Sequence, residues 1–178
     1  MQWTRKDFMT DAQDTFHKRV EAVRRTLGVE VCTLYRVHAD ERALEIAATS
    51  GLNPAAVGAR LSMEQGLTGK VARTAEPLAA RDIHNHPDHY HVEGSGEERF
   101  RSYLGIPLLN DEHLLGVLVI QTELTRTFFR GDIRELHQAG IAQTIVAPGP
   151  VSDEGGYLRA NNAVARQAVE RPFLAVAR

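Results

Sequence analysis

Between Glu97 and Gln121 the chain reads EERFRSYLGIPLLNDEHLLGVLVIQ, and this stretch constrains the fold more than any other. An apolar run over Leu104–Leu109 and a second over Leu114–Ile120 are separated by the polar Asn110, Asp111 and Glu112, the pattern of an antiparallel hairpin. In the second run, alternation predicts Leu115, Val117 and Val119 on one face and Leu114, Leu118 and Ile120 on the other. Both faces are apolar, so other parts of the chain must cover both. Pro107 has no N–H to give to a ladder, which predicts a bulge or an open edge at that point. Just upstream, Arg99, Phe100, Arg101, Ser102 and Tyr103 feed donors and rings into the strand, a place where a small anionic or polar ligand could be read.

The flanks supply the cover. Phe8, Ala12, Phe16, Val20, Val23 and Leu27 repeat at helical spacing over 4–27, with Thr4 as N-cap, aspartates early, arginines late and Gly28 as the stop. Such a helix packs on its own sheet or pairs with its counterpart in a second subunit. Strands follow over 29–38 and 43–50, the first with Val31, Thr33, Tyr35 and Val37 opposite Cys32 and Leu34. Residues 52–65 read as loop or short helix. Gln65–Thr74 reads as a short helix entered through Gly66, and Gly69 within it suggests a close backbone approach. A phosphate-loop reading of Gly69-Lys70 fails, because Glu64 and Val71 stand where the motif needs Gly and Ser or Thr. A strand over 77–80, a long polar loop over 81–98 and a final helix opened by Phe128, Phe129 and Asp132 complete the core. Ile133, Leu136, Gly140, Ile141 and Ile145 are its expected inner face. From Pro148 the composition becomes linker-like, with a weak helix over Leu158–Val169.

Composition narrows the function classes. A net charge of -2 leaves no electrostatic footprint for nucleic acid or an anionic membrane. No apolar run approaches the roughly 18 residues of a membrane span, and the N-terminus lacks a signal-peptide core. Cys32 is the single cysteine, which excludes an intramolecular disulfide and reads as a buried, inert thiol. The expectation is a cytoplasmic protein.

Two clusters could carry chemistry. His84, His86, His89 and His91, with Asp82 and Asp88 beside them, could offer imidazoles to zinc, copper, iron or nickel. Structural zinc sites usually draw on two separated elements, so a solvated loop is the plainer reading and no metal is assigned. The second cluster is Arg99, Arg101 and Ser102 with Tyr90 and Tyr103, where a guanidinium would match a carboxylate with two parallel hydrogen bonds. The bland alternative pairs one of these arginines with Glu97 or Glu98.

Four pieces, VCTLYRV at 31–37, AATSGLNP at 47–54, GLTGKVA at 66–72 and the hairpin stretch at 97–121, together resemble the GAF domain family. The resemblance is strongest to the N-terminal GAF domains of nitrogen-branch phosphoenolpyruvate-protein phosphotransferases. It implies an α+β fold: a central antiparallel sheet with the N- and C-terminal helices on one face and a ligand pocket on the other, roofed by loops over 51–102. The division it implies is an N-terminal helix over 1–28, a GAF domain over 29–147 and a tail over 148–178. It further implies a non-enzymatic sensor of a small metabolite, such as a 2-oxo acid or an amino acid, acting as a homodimer. The candidate ligand-binding residues are Tyr35, Asp82, His86, Tyr90, Arg99, Arg101, Ser102 and Tyr103. No cofactor is named by these residues. A ligand-free dimerisation or docking module, and a metal-binding unit built on the histidine loop, are the alternatives.

The chain also departs from the family. Glu64 replaces a glycine usual near the pocket entrance, and His84, His89 and His91 are additions beside the family's His86-Pro87. Nothing after residue 147 resembles the phosphotransferase's catalytic domains, so transferase activity is not carried over. The cysteines of the free methionine sulfoxide reductases, the bilin-attaching cysteine and the cyclic-nucleotide signature are all missing.

Overall fold

The computed structural model describes residues 5–110, 113–142 and 158–159, with side chains over 14–109 and 113–140. Its elements are helix α1 (Arg5–Leu27), strands β1 (Val31–His38), β2 (Ala43–Ser50) and β3 (Arg60–Ser62), helix α2 (Gly66–Thr74), and strands β4 (Leu78–Ala80), β5 (Ser102–Asn110) and β6 (His113–Thr122). Helix α3 (Arg130–Ala142) and the two-residue strand β7 (Leu158–Arg159) follow. The strands form one antiparallel sheet in the order β3-β2-β1-β6-β5-β4, with β7 pairing to β6 at His113 and Leu114. The expected helix from Leu158 is thus corrected to strand at its first two residues, and residues 160–169 lie outside those described.

The hairpin is the centre of the sheet. Asn110 pairs with His113, so the polar connection is two residues long. The back face buries Cys32 and Leu34 of β1, Leu104 and Ile106 of β5, and Leu118 and Ile120 of β6 against Val20 and Val23 of α1 and Leu136 of α3. Each fully buried aliphatic side chain there contributes about 1.5–3 kcal/mol. The front face carries Tyr35, Leu44, Ile46, Tyr103, Val117 and Val119 against Leu67 and Val71 of α2. Helices α1 and α3 therefore lie behind the sheet, while α2 and the loops cover the front.

Local chemistry explains the boundaries. Helix α1 ends in a Schellman arrangement: Gly28, at φ 60°, gives its N–H to Arg25 O, and Val29 gives its N–H to Arg24 O. At the start of α3 the Asp132 carboxylate accepts the Phe129 N–H at 2.7 Å, half of a capping box. Pro107 sits beyond the last residue of β5 that β4 pairs, Gly105, so that side of the strand is open as expected.

Two irregularities reassign faces. The β5–β6 register slips between Leu108 and Leu109, so Leu114 packs with the front cluster and not with Leu118 and Ile120. The extra residue is Leu115, which is only half-buried. The same device in β2 at Ala47 sends Leu44 and Ile46 forward but Ala48 back. Strand β3 within 52–65 has no signal in the sequence because three residues are too few to show a period. Gly69 meets expectation: a Cβ there would overlap the Met63 carbonyl. Among the described residues no helix is long and apolar enough to cross a membrane.

Candidate functional site

The front face supports a small, partly open cavity of about 20 Å³. Its floor is Tyr35 of β1, Tyr103 of β5 and Gln121 of β6, and its side is Leu67 and Thr68 of α2. His89, Tyr90, His91 and Val92 of the long loop form a roof, and Glu97 closes the deep end. A void of this size accommodates roughly one water molecule.

The roof is held at several points. Lys70 Nζ of α2 lies 2.7 Å from the Asp88 carboxylate, and the Val92 N–H donates to Glu97 Oε2 at 3.1 Å. Asn53 donates its backbone N–H to Ser95 O and its side-chain amide to Gly94 O. Tyr90 leans over Gly66, where an added Cβ would stand 3.1 Å from the tyrosine's own. Its ring is half-exposed and so forms the outermost cover.

Below the roof the polar groups are sunk in protein. Glu97 is 8% exposed and Gln121 3%. Burial pushes the Glu97 carboxyl above the usual carboxylate range, against hydrogen bonds from the Val92 N–H, Ser95 and Gln121. Tyr35 and Tyr103 are likewise raised by burial, and Tyr103 OH lies 3.2 Å from Thr68 Oγ1. Two buried side-chain oxygens have no hydrogen-bond partner among the described residues, Asp82 Oδ1 and Gln121 Oε1, and only Gln121 lines the cavity. An unpaired buried amide oxygen costs about 1–3 kcal/mol, so the cavity wall is short of a donor.

The expected site residues divide cleanly. Tyr35, Tyr90 and Tyr103 meet at the cavity, whereas Asp82, His86, Arg99, Arg101 and Ser102 do not line it. Arg101 is 2.8 Å from Asp82 and holds that carboxyl below its usual range. Arg99 donates to Gly51 O and lies 3.5 Å from Glu123, so neither arginine takes as partner Glu97 or Glu98, the alternative to a pocket role. Ser102 Oγ sits 2.9 Å from Arg81 O, 3.1 Å from Leu124 O and accepts the Arg126 N–H, fastening the loops at the start of β5. His86 Nδ1 accepts the Asp88 N–H at 3.1 Å.

The histidines do not converge on a common point. His84 Nε2 is 3.0 Å from Phe100 O, and its ring centroid is 5.4 Å from that of His89. Among the described residues no group of three or more His, Cys, Asp or Glu side chains is placed to hold a metal ion. Cys32 is fully buried, and burial pushes its thiol far above the reactive range.

Residues 11–146 match the family model described as GAF domain. The chain belongs to the GAF domain family. The phosphoenolpyruvate-dependent phosphotransferase system protein of Escherichia coli (strain K12) is 37% identical over 89 residues, which are 49% of this chain and 12% of that protein. The chain therefore spans a small fraction of the length of this curated relative. The structure of the GAF domain from a phosphoenolpyruvate-protein phosphotransferase of Coxiella burnetii is 26% identical, with a TM-score of 0.63 over 80% of this chain and 95% of that one. A type II free methionine-R-sulfoxide reductase from Thermoplasma acidophilum shares the fold at 14% identity, with a TM-score of 0.65 over 79% of this chain and 95% of that one.

Among the cavity residues that the sequence reading did not assign are three polar ones, Thr68, Glu97 and Gln121. Gln121 was legible in principle, because it continues the front-facing parity of Val117 and Val119. Glu97 lies in a short 3-10 turn over Glu97–Arg99, where neither period applies and no local signal marks an inward-facing acid.

Proposed function

We propose that this GAF domain is a non-catalytic sensory module that seats a small metabolite between the sheet front and the loop roof. The observation that carries the reading is the pairing of a buried carboxyl, Glu97, with a buried amide oxygen lacking a partner among the described residues, Gln121 Oε1, at one cavity. A ligand larger than a water requires the 89–92 roof to lift, and binding then selects the lifted state. In this reading the signal leaves through the back-face helices α1 and α3, which meet a second copy of the chain in a homodimer. The likeness to phosphotransferase GAF domains supports a regulatory role in a phosphotransferase context in the cytoplasm. Amino acids and 2-oxo acids are the first metabolites to test, although no arginine lines the cavity to hold a carboxylate.

One observation favours a second reading, a ligand-free dimerisation module: the cavity is only about 20 Å³, with Tyr35, Tyr90 and Tyr103 in its lining. Thermal-shift screening of the purified chain against amino acids, 2-oxo acids, amines and nucleotides separates the two. The sensor reading expects at least one class to raise the melting temperature, with the gain growing as ligand exceeds its Kd. A flat response across all classes, with a dimer persisting in light scattering, supports the scaffold instead.

A further inference from the structure

The chemistry of the cavity wall says what kind of group belongs there. Glu97 and Gln121 Oε1 are both acceptors, and the Gln121 amide is already turned to the Glu97 carboxyl. The basic side chains near the roof are engaged elsewhere: Lys70 with Asp88, Arg101 with Asp82, Arg99 with Glu123 and Gly51 O. Only the imidazoles of His89 and His91 bring basic nitrogen to the lining. An anion placed here would meet a carboxyl that burial already holds back from ionising, with hydrogen bonds from Val92, Ser95 and Gln121 but no cationic group beyond the His91 imidazole to balance its charge, in a medium that screens poorly. A cation would complete it, and the aromatic side chains of Tyr35 and Tyr103 on the same lining suit positive charge better than negative. Size adds a further limit, since a void of about 20 Å³ takes a head group no larger than a water, which an ammonium matches.

We propose that the cavity recognises the primary ammonium group of a small amine, held between the Glu97 carboxylate and Gln121 Oε1, with its slim apolar body passing out beneath Tyr90. This rests on the sensory reading above and specifies its ligand class. Three donors on the ammonium reach the open Gln121 Oε1 and the Glu97 carboxylate beside the bonds it already accepts, and the raised carboxyl regains its charge when the cation arrives. The groups facing Glu97 are His91, Tyr35 and Tyr103, all on the lining.

The test is an NMR titration of the isotope-labelled full chain with n-butylamine, 1-butanol and butyrate, three probes of one body and different heads. The amine is expected to shift the backbone resonances of Glu97, Tyr103 and Gln121 and to bind at least tenfold tighter than the alcohol. Glu97→Gln should erase that tenfold preference while the spectrum stays dispersed. If that variant does not fold, Gln121→Leu, which removes the second acceptor, makes the same comparison. Butyrate or butanol binding as tightly as the amine, or a preference surviving in the variant, overturns the ammonium assignment and leaves a sensory cavity of another class. No shift from any probe, together with a flat metabolite screen, overturns both.

Discussion

Alanine at Gly69 sets two effects of known size against each other. Glycine inside a helix is about 1 kcal/mol worse than alanine, so propensity alone predicts that Gly69→Ala stabilises α2. The structure predicts the reverse. A Cβ at this position overlaps the Met63 carbonyl oxygen and stands 2.9 Å from its carbon. The obstacle is backbone, which cannot rotate aside as a side chain would, and Met63 itself is fully buried. Overpacking of this kind costs about 1–3 kcal/mol, and this contact belongs at the upper end. The same carbonyl accepts a hydrogen bond from Arg73 Nη1, whose loss on displacement adds about 1 kcal/mol. The net effect is a destabilisation of about 2–3 kcal/mol. For a domain of this size each kcal/mol moves the melting temperature by about 2–4 °C, so a fall of about 4–12 °C is expected by circular dichroism. An unchanged or raised melting temperature would refute the argument that backbone contact outweighs propensity here.

The remaining predictions use the same structure. Glu97→Gln should gain stability relative to the parent as pH rises: the parent's raised carboxyl favours the fold while protonated, and this advantage is lost from about the ordinary 4.5 upward through its folded value. Urea titrations of both proteins at pH 5 and 8 check the slope, and parallel curves would count against a buried carboxyl. His89 is lowered by burial and by the neighbouring histidines, and His86 chiefly by burial, so the stability they contribute is present above about 6.5 and lost as pH falls through their folded values. Hydrogen-exchange protection over 86–95, taken relative to the intrinsic amide rate at each pH, should fall on acidification before protection in β1 or β6 does, and His89→Asn should blunt the effect. Leu118→Ala empties a fully buried position between the sheet and the back helices and should cost about 2–5 kcal/mol in denaturant unfolding.

How much of this was readable from residues alone follows a physical boundary. Alternation placed Val117, Val119, Leu118 and Ile120 on their correct faces because a regular strand turns each residue by half a revolution. It failed at Leu114, because the extra residue at Leu115 resets the phase and nothing in a leucine pair announces that. The cavity lining was partly legible where strands supply it, as with Tyr35 and Tyr103. Where loops supply it, Tyr90 was found but the arginines were misplaced. Arg101 precedes β5, so the parity that sends Tyr103 forward does not extend back to it, and Asp82, nineteen residues away, captures its guanidinium. Such long-range ion pairs are tertiary facts with no trace in spacing.

The clasp between Lys70 and Asp88 has a consequence for conditions of measurement. Its two side chains are 42% and 40% exposed, so dissolved ions compete for both charges. At about 0.15 M salt the screening length is already near 8 Å, and raising ionic strength further weakens the tether between helix and loop. Guest exchange through the roof should therefore quicken with added chloride, even for an uncharged guest that salt would otherwise leave indifferent.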